Sequence, residues 1–278
     1  VEPVSPLQFD RVCVDKLVFC VESGIPFVCA AGANCGIGAP VTPEGGVVQG
    51  SAESLAGLVI ALALDPGARF VYGSNTSSAD MRSGAVCYGA PEWFRTVALY
   101  ADLGEFYGLP SWGTAGCTDA QRIDAQAAWE ATRGILLALS ARSTIVHDMG
   151  YQAFGELYDV RMLALAMEIL REARQLTGPV DLSEEALAIP VIDQVARGGS
   201  LYLAQLHTRR NFRECLWMSD VVNRVRAGQP DEEIGDRLSR RVDRALSRHE
   251  PTPLDEATAA RIEELVAAIA VAPDADAV

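Results

Sequence analysis

Residues 109–151 read LPSWGTAGCTDAQRIDAQAAWEATRGILLALSARSTIVHDMGY. A short apolar run ends in Gly113-Thr114-Ala115-Gly116, and a polar loop carrying Asp119 and Asp124 follows. Next comes a segment with apolar residues at helical spacing, then a second apolar run that stops at His147-Asp148. The unit is strand–loop–helix–strand, with its polar residues gathered where strands give way to loops. Barrel and open-sheet α/β proteins assemble their sites there.

The same alternation runs outward from this unit. Helices are predicted over residues 6–23, 51–64, 91–107, 123–141 and 158–177, and strands over 25–30, 69–73, 110–115 and 143–147. Pro91 suits the first turn of its helix. The loops that follow strands are long and polar (31–46 and 74–90), whereas those that precede strands are short, which puts chemistry at the carboxyl ends of a parallel sheet. Beyond Gly178 the pattern changes. A helix over 181–196 with Ser183 as N-cap is followed by a break at Gly198-Gly199 and by 201–206, readable as strand or short helix. Charged amphipathic helices over 232–248 and 255–270 suit packing or homo-oligomer contacts, and the tail after Ala272 reads as frayed. Two parts follow: residues 1–178, carrying the strand-end site, and residues 179–278, mostly helical. Four βα units are half of an eight-stranded barrel, and left alone their outer strands would expose edges. The expectation is therefore an α/β chain forming about half of a TIM-type (β/α)8 barrel plus C-terminal helices. A first residue of valine fits a chain whose other half lies upstream.

Bulk properties narrow the function. A net charge of −14 excludes the basic stripe of a nucleic-acid surface. Lys16 is the only lysine, so Schiff-base and phosphate-loop chemistry lack their residue elsewhere. The glycines from Gly32 to Gly46 form no GxGxxG and suit turns or the close approach of a partner. The longest apolar run, residues 55–64, ends at Asp65-Pro66, short of a membrane span, and the N-terminus carries no leader pattern. Seven irregularly spaced cysteines suit free thiols in a reducing cytoplasm. Cys29 with Cys35, or Cys87 with Cys117, would be needed for a zinc site, but no CxxC or HExxH supports one.

Several stretches resemble the trimethylamine methyltransferase family of corrinoid-dependent enzymes. They are Ser5-Pro6-Leu7, Gly38-Ala39-Pro40-Val41-Thr42, Ala52-Glu53-Ser54-Leu55-Ala56-Gly57, Tyr72-Gly73-Ser74, Asp80-Met81-Arg82 and Gly89-Ala90-Pro91-Glu92. Further on come Tyr107-Gly108-Leu109-Pro110, Thr118-Asp119-Ala120, Asp124-Ala125-Gln126-Ala127, His147-Asp148-Met149-Gly150-Tyr151, Gly198-Gly199, His207-Thr208 and Phe212-Arg213. The resemblance covers about the C-terminal three-fifths of a typical member and implies a TIM-type fold. No nonstandard residue is present, so the implied branch is the one without pyrrolysine, whose substrates include glycine betaine-like quaternary amines. The implied partner is a corrinoid protein that receives the methyl group on cobalt, with no cofactor held tightly by this chain. A degenerate or incomplete homologue that binds the amine without turnover is the alternative, and a zinc-using variant is a third.

Displacement of a methyl group from a quaternary amine needs a cation held in a dry aromatic setting more than it needs acid catalysis. Tyr72, Tyr88, Trp112 and Tyr151 lie at loop positions and are the candidate cage, while Trp93, Phe94, Phe106 and Tyr107 fall on a helix and suit core. His147 is a candidate catalytic group, donating to a betaine carboxylate or protonating the departing amine, with Asp148 orienting it or capping a loop. Asp119 is a second candidate, offsetting the substrate charge, although aspartates beside a helix start often cap it. Arg82 is a candidate carboxylate clamp or a loop ion pair with Asp80. His207 is a candidate substrate contact or a structural group, and His249 suits a solvent-facing position.

Overall fold

The computed structural model describes residues 1–198 and 200–271. Gly199 and the tail from residue 272, including the frayed segment expected there, lie outside the described residues. By contact density the chain divides into a unit of residues 1–242 and one of residues 243–278.

The larger unit is built on four short parallel strands. These are β1 (Phe27–Val28), β2 (Phe70–Val71), β5 (Trp112–Thr114) and β6 (Ile145–His147). Phe27 lies opposite Phe70 and Trp112 opposite Ile145, and a bridge from Tyr72 to Ser111 joins the two pairs. The spatial order is thus the chain order, as right-handed βα crossovers produce. The four strands do not close on themselves. At one edge, Val1 donates to Val28 O (2.9 Å) and accepts from Ala30 N (2.9 Å). At the other edge, Ile145 and Val146 are 46% and 38% exposed.

Helices α1 (Arg11–Glu22), α2 (Pro43–Leu64), α3 (Pro91–Tyr107), α4 (Ala125–Ser140) and α5 (Val160–Leu176) alternate with the strands, each packing on the next. One core cluster lies among β1, β2 and the first three helices around Leu17, Val47, Phe70 and Tyr100. A second lies between α4 and α5 around Ala131, Ile135, Met162 and Ile169. Trp93 and Phe94 are buried on α3, but Phe106, expected in the core, is 79% exposed. It follows the last inward turn of the helix, which ends one residue later at a left-handed Gly108.

Two helix starts lie several residues from the sequence expectation, and the helix expected over 181–196 is broken in two at a left-handed Ala188. The first helix starts at Arg11 rather than residue 6, because Asp10 accepts from Cys13 N (2.7 Å) and caps it there. Helix α2 starts at Pro43 rather than residue 51, with Pro43 in its first turn. Gly45 and Gly46 therefore belong to a helix and not to an open loop. Gly46 is needed there, since a Cβ at that position would strike Cys35 Sγ. At 22 residues, α2 is by length and composition apolar enough to cross a membrane. Its buried face, however, carries Ser51, Glu53 and Ser54. Glu53, 1% exposed, accepts from Ser5 Oγ (2.9 Å), Leu7 N (2.7 Å) and Gln49 Nε2 (3.2 Å), fastening the N-terminal segment to α2.

The loops after β2 and β6 carry antiparallel hairpins: β3 (Ser78–Ala79) with β4 (Val86–Cys87), and β7 (Tyr151–Gln152) with β8 (Leu157–Tyr158). Past α5, Ser183 caps the short α6 (Glu184–Leu187), and α7 (Ile189–Gly198) follows a left-handed Ala188. Residues 202–204 form a 3-10 turn ahead of α8 (Leu206–Cys215), so no strand forms there. Helix α9 (Ile234–Arg248) buries Leu238 in the α4–α5 cluster. Within the smaller unit, Asp255 caps α10 (Glu256–Val271), accepting from Thr258 N (2.9 Å).

Candidate functional site

A cleft of about 400 Å³ opens at the carboxyl ends of the four strands. Each strand or its following loop contributes: Val28 of β1 and Ala30 just past it, Asn75 and Tyr88 after β2, Trp112 from β5, and His147 at the end of β6 with Asp148 after it. Tyr151 and Gly155 of the last hairpin and Val1 and Glu2 of the N-terminal segment complete the wall.

The aromatic residues form a graded series. His147 lies 5.7 Å from Trp112 and 6.3 Å from Tyr151 between ring centroids, and Tyr151 makes an edge contact with Tyr158 at 5.4 Å. Trp112 and His147 share a face because paired parallel residues point the same way and side chains repeat every second residue. Tyr88 lines the cleft with its ring 4.1 Å from buried Trp93, and its hydroxyl meets the Asn75 amide. Burial pushes the Tyr88 hydroxyl up from its ordinary value, so it stays protonated at neutral pH.

Asp148 pairs with His147 Nδ1, and its side chain is 13% exposed while that of His147 is 57% exposed. Burial raises the Asp148 carboxyl, and the neighbouring imidazole pulls it back. Asp148 holds a φ of 70°, a left-handed conformation that aspartate tolerates better than most residues. Asn75 Oδ1 is buried with no partner. The cleft lining contains no Lys or Arg side chain, and the Val1 ammonium donates to Val28 O. Ring faces, carboxylates and an unpaired carbonyl oxygen make a wall that favours positive charge.

The cleft thus unites Tyr88, Trp112, His147 and Tyr151 of the candidate residues. It does not include the others. Tyr72 is fully buried toward the helices, where its hydroxyl lies 2.6 Å from Ser51 Oγ and its ring meets Tyr100 and Tyr107. Arg82 is exposed on the β3–β4 turn, which Asp80 orders by accepting from Arg82 N (2.8 Å) and Ser83 Oγ (3.1 Å). His207 sits on α8 with Nε2 3.0 Å from Glu185 O. Asp119 bonds backbone: Oδ1 accepts from Tyr88 N (2.6 Å) and Oδ2 from Gly89 N (2.9 Å). Burial raises its carboxyl above the ordinary range. Asp124 caps α4 by accepting from Ala127 N (3.1 Å).

Glu2 and Asn75 escaped the sequence reading. Glu2 has no local signal, because only the Val1–Val28 ladder and the Glu53 anchor bring it to the strand ends. Asn75, four residues past the end of β2, could have been found by position. Among the described residues, no three His, Cys, Asp or Glu side chains gather as a metal site would require.

Parallel βα units with an aromatic, acid-lined cleft at their strand ends define a class of α/β proteins that handle small ligands at that face. Comparison with known sequences goes further: the profile of the trimethylamine methyltransferase family matches residues 1–270, and the chain belongs to that family. It is 27% identical over 271 residues to glycine betaine methyltransferase of Desulfitobacterium hafniense strain Y51, covering 96% of this chain and 56% of the relative. It is 32% identical over 208 residues to trimethylamine methyltransferase of Methanosarcina barkeri, covering 75% of this chain and 42% of the relative. The chain spans about half the length of the curated relatives it matches.

Proposed function

We propose that the strand-end cleft binds a small quaternary amine and serves a methyltransferase that passes one methyl group to the corrinoid of a partner protein, with the described strands forming part of a (β/α)8 barrel. The observation that carries this is the wall itself: Trp112, Tyr88 and Tyr151 around a cavity with Asp148 and Glu2 and no Lys or Arg side chain in its lining. Each ring face offers a desolvated cation about 0.5–2 kcal/mol. Asn75 Oδ1, buried and unpaired, suits the polarised methyl hydrogens of such a cation. The corrinoid's reduced cobalt supplies the nucleophile when the partner docks. This chain's residues hold the nitrogen, present one methyl outward and exclude water. The leaving tertiary amine is neutral as the C–N electron pair returns to nitrogen. His147 stands where it can donate to a substrate carboxylate or to that departing amine, and Asp148 orients it.

Calorimetry of the folded chain with glycine betaine, carnitine and trimethylamine tests the reading. Binding of a quaternary amine that is weakened in Tyr151→Ala and Trp112→Ala is the expected result. A folded chain that ignores all quaternary amines refutes it. Binding without methyl transfer to a supplied corrinoid protein would select a homologue that holds the amine without turnover.

A further inference from the structure

Helix α4 reaches the cleft through residues that do not enter it. Glu130, 8% exposed on α4, accepts from Thr118 Oγ1 (2.6 Å), Asp119 N (2.8 Å) and Gln126 Nε2 (3.0 Å). Asp119, so held, presents both carboxylate oxygens to the loop after β2 and takes the amides of Tyr88 and Gly89. From the next turn of α4, Arg133 donates to Gly89 O (3.0 Å). The Tyr88 and Gly89 amides are therefore held by Asp119, itself fastened to α4 through Glu130, and the Gly89 carbonyl is held by α4 directly through Arg133. Gly89 must lack a side chain, since a Cβ there would fall on the Glu130 carboxyl group. Tyr88 is the residue this grip delivers to the cleft wall.

We propose that Glu130 is a positioning residue for the cleft, holding Asp119 so that Asp119 fixes the backbone of Tyr88 and aims its ring at the bound cation. The proposal rests on the quaternary-amine reading for its ligand, but not for its geometry. This carboxylate pair ties the loop after β2 to the loop after β5. A buried group with several charge-assisted bonds holds a backbone more rigidly than loop packing does.

The test is a double-mutant cycle on the full chain, with tetramethylammonium as probe and calorimetry as readout. Tyr88→Ala and Glu130→Ala should each weaken binding by about three- to thirtyfold, the span that one ring–cation contact commands. The double variant should bind no worse than Tyr88→Ala, because Glu130 acts through that ring. Glu130→Gln, which keeps an acceptor oxygen, should recover part of the loss. Additive losses, or a folded Glu130→Ala that binds as wild type, overturn the proposal. A ligand-free readout stands beside it: amide hydrogen exchange at Tyr88 and Gly89 should rise in Glu130→Ala while α5 amides stay protected. Unchanged exchange at those amides overturns the proposal whatever the ligand does. If exchange rises but wild type ignores tetramethylammonium, the grip stands and the quaternary-amine reading fails. Should Glu130→Ala unfold, Thr118→Val removes one of the donors to Glu130 and is expected to move both readouts in the same direction.

Discussion

Asp148 combines properties that oppose one another. Its carboxyl is buried, its backbone is left-handed, and its main electrostatic relief is the imidazole of His147. A carboxyl whose folded pKa is raised holds its proton more tightly when folded. Its contribution to stability is full below the unfolded value and is lost as the pH rises through the folded one. Asp148→Asn should accordingly raise the thermal midpoint at neutral pH and flatten this part of the pH–stability profile, as followed by calorimetric melting across pH 4 to 8. The same variant should weaken quaternary-amine binding, because it removes a charge from the wall. A variant that gains no stability at neutral pH would sink the buried-charge account. Trp112→Ala should reduce binding by about 0.5–2 kcal/mol with little effect on melting, since Trp112 is only half-buried.

At the scale of elements, the layer of β2, α2 and α3 gives Tyr72 its place. Tyr72 stands at a strand end and reads from sequence like a cleft residue. The cleft and the helical layer take neighbouring strand-end positions, and only the direction of each side chain tells them apart. Tyr72→Phe should leave Ser51 Oγ without its partner and cost about 1–2 kcal/mol, a drop of about 2–8 °C in midpoint. Amine binding should be unchanged, and a weakened affinity in calorimetry would put Tyr72 back at the site. The early start of α2 has a similar origin. Glycines in residues 31–46 look like loop by propensity, yet Gly46 is helical because α2 must pass Cys35 closely. Helix caps were more legible: Asp124 and Ser183 cap the helices beside them, because capping depends on a few consecutive residues.

For the whole molecule, the open sheet is the governing fact. Beside Val146 lies a groove of about 360 Å³ walled by Ala115, Ile135, Leu139, Met149 and Leu170. A largely apolar groove next to a strand edge that pairs with no further strand among the described residues favours association. The chain should sediment with a concentration-dependent increase in mass, and Val146→Lys should suppress that increase without changing helix content. A mass that stays monomeric across concentrations would show the edge to be harmless.

Local chemistry determined much of this protein. Apolar spacing placed the helices between 91 and 177, and Gly, Pro and Asp punctuated them. Net charge and lysine usage excluded whole classes of function, and residue order alone carried the family. Tertiary structure decided which strand-end residues face one another. Trp112 and His147 share a face because parallel register aligns their strands, and the loops after β2 and β6 bring Tyr88 and Tyr151 to the same cleft. Glu2 joins them because a buried Glu53 and the Val1 ladder bring a distant segment alongside. Asp119 faces the Tyr88-Gly89 backbone and not the cleft, with its own amide held by Glu130 of a neighbouring helix. Capping and periodicity are properties of a few adjacent residues, whereas a cleft is a property of packing between segments that sequence separates.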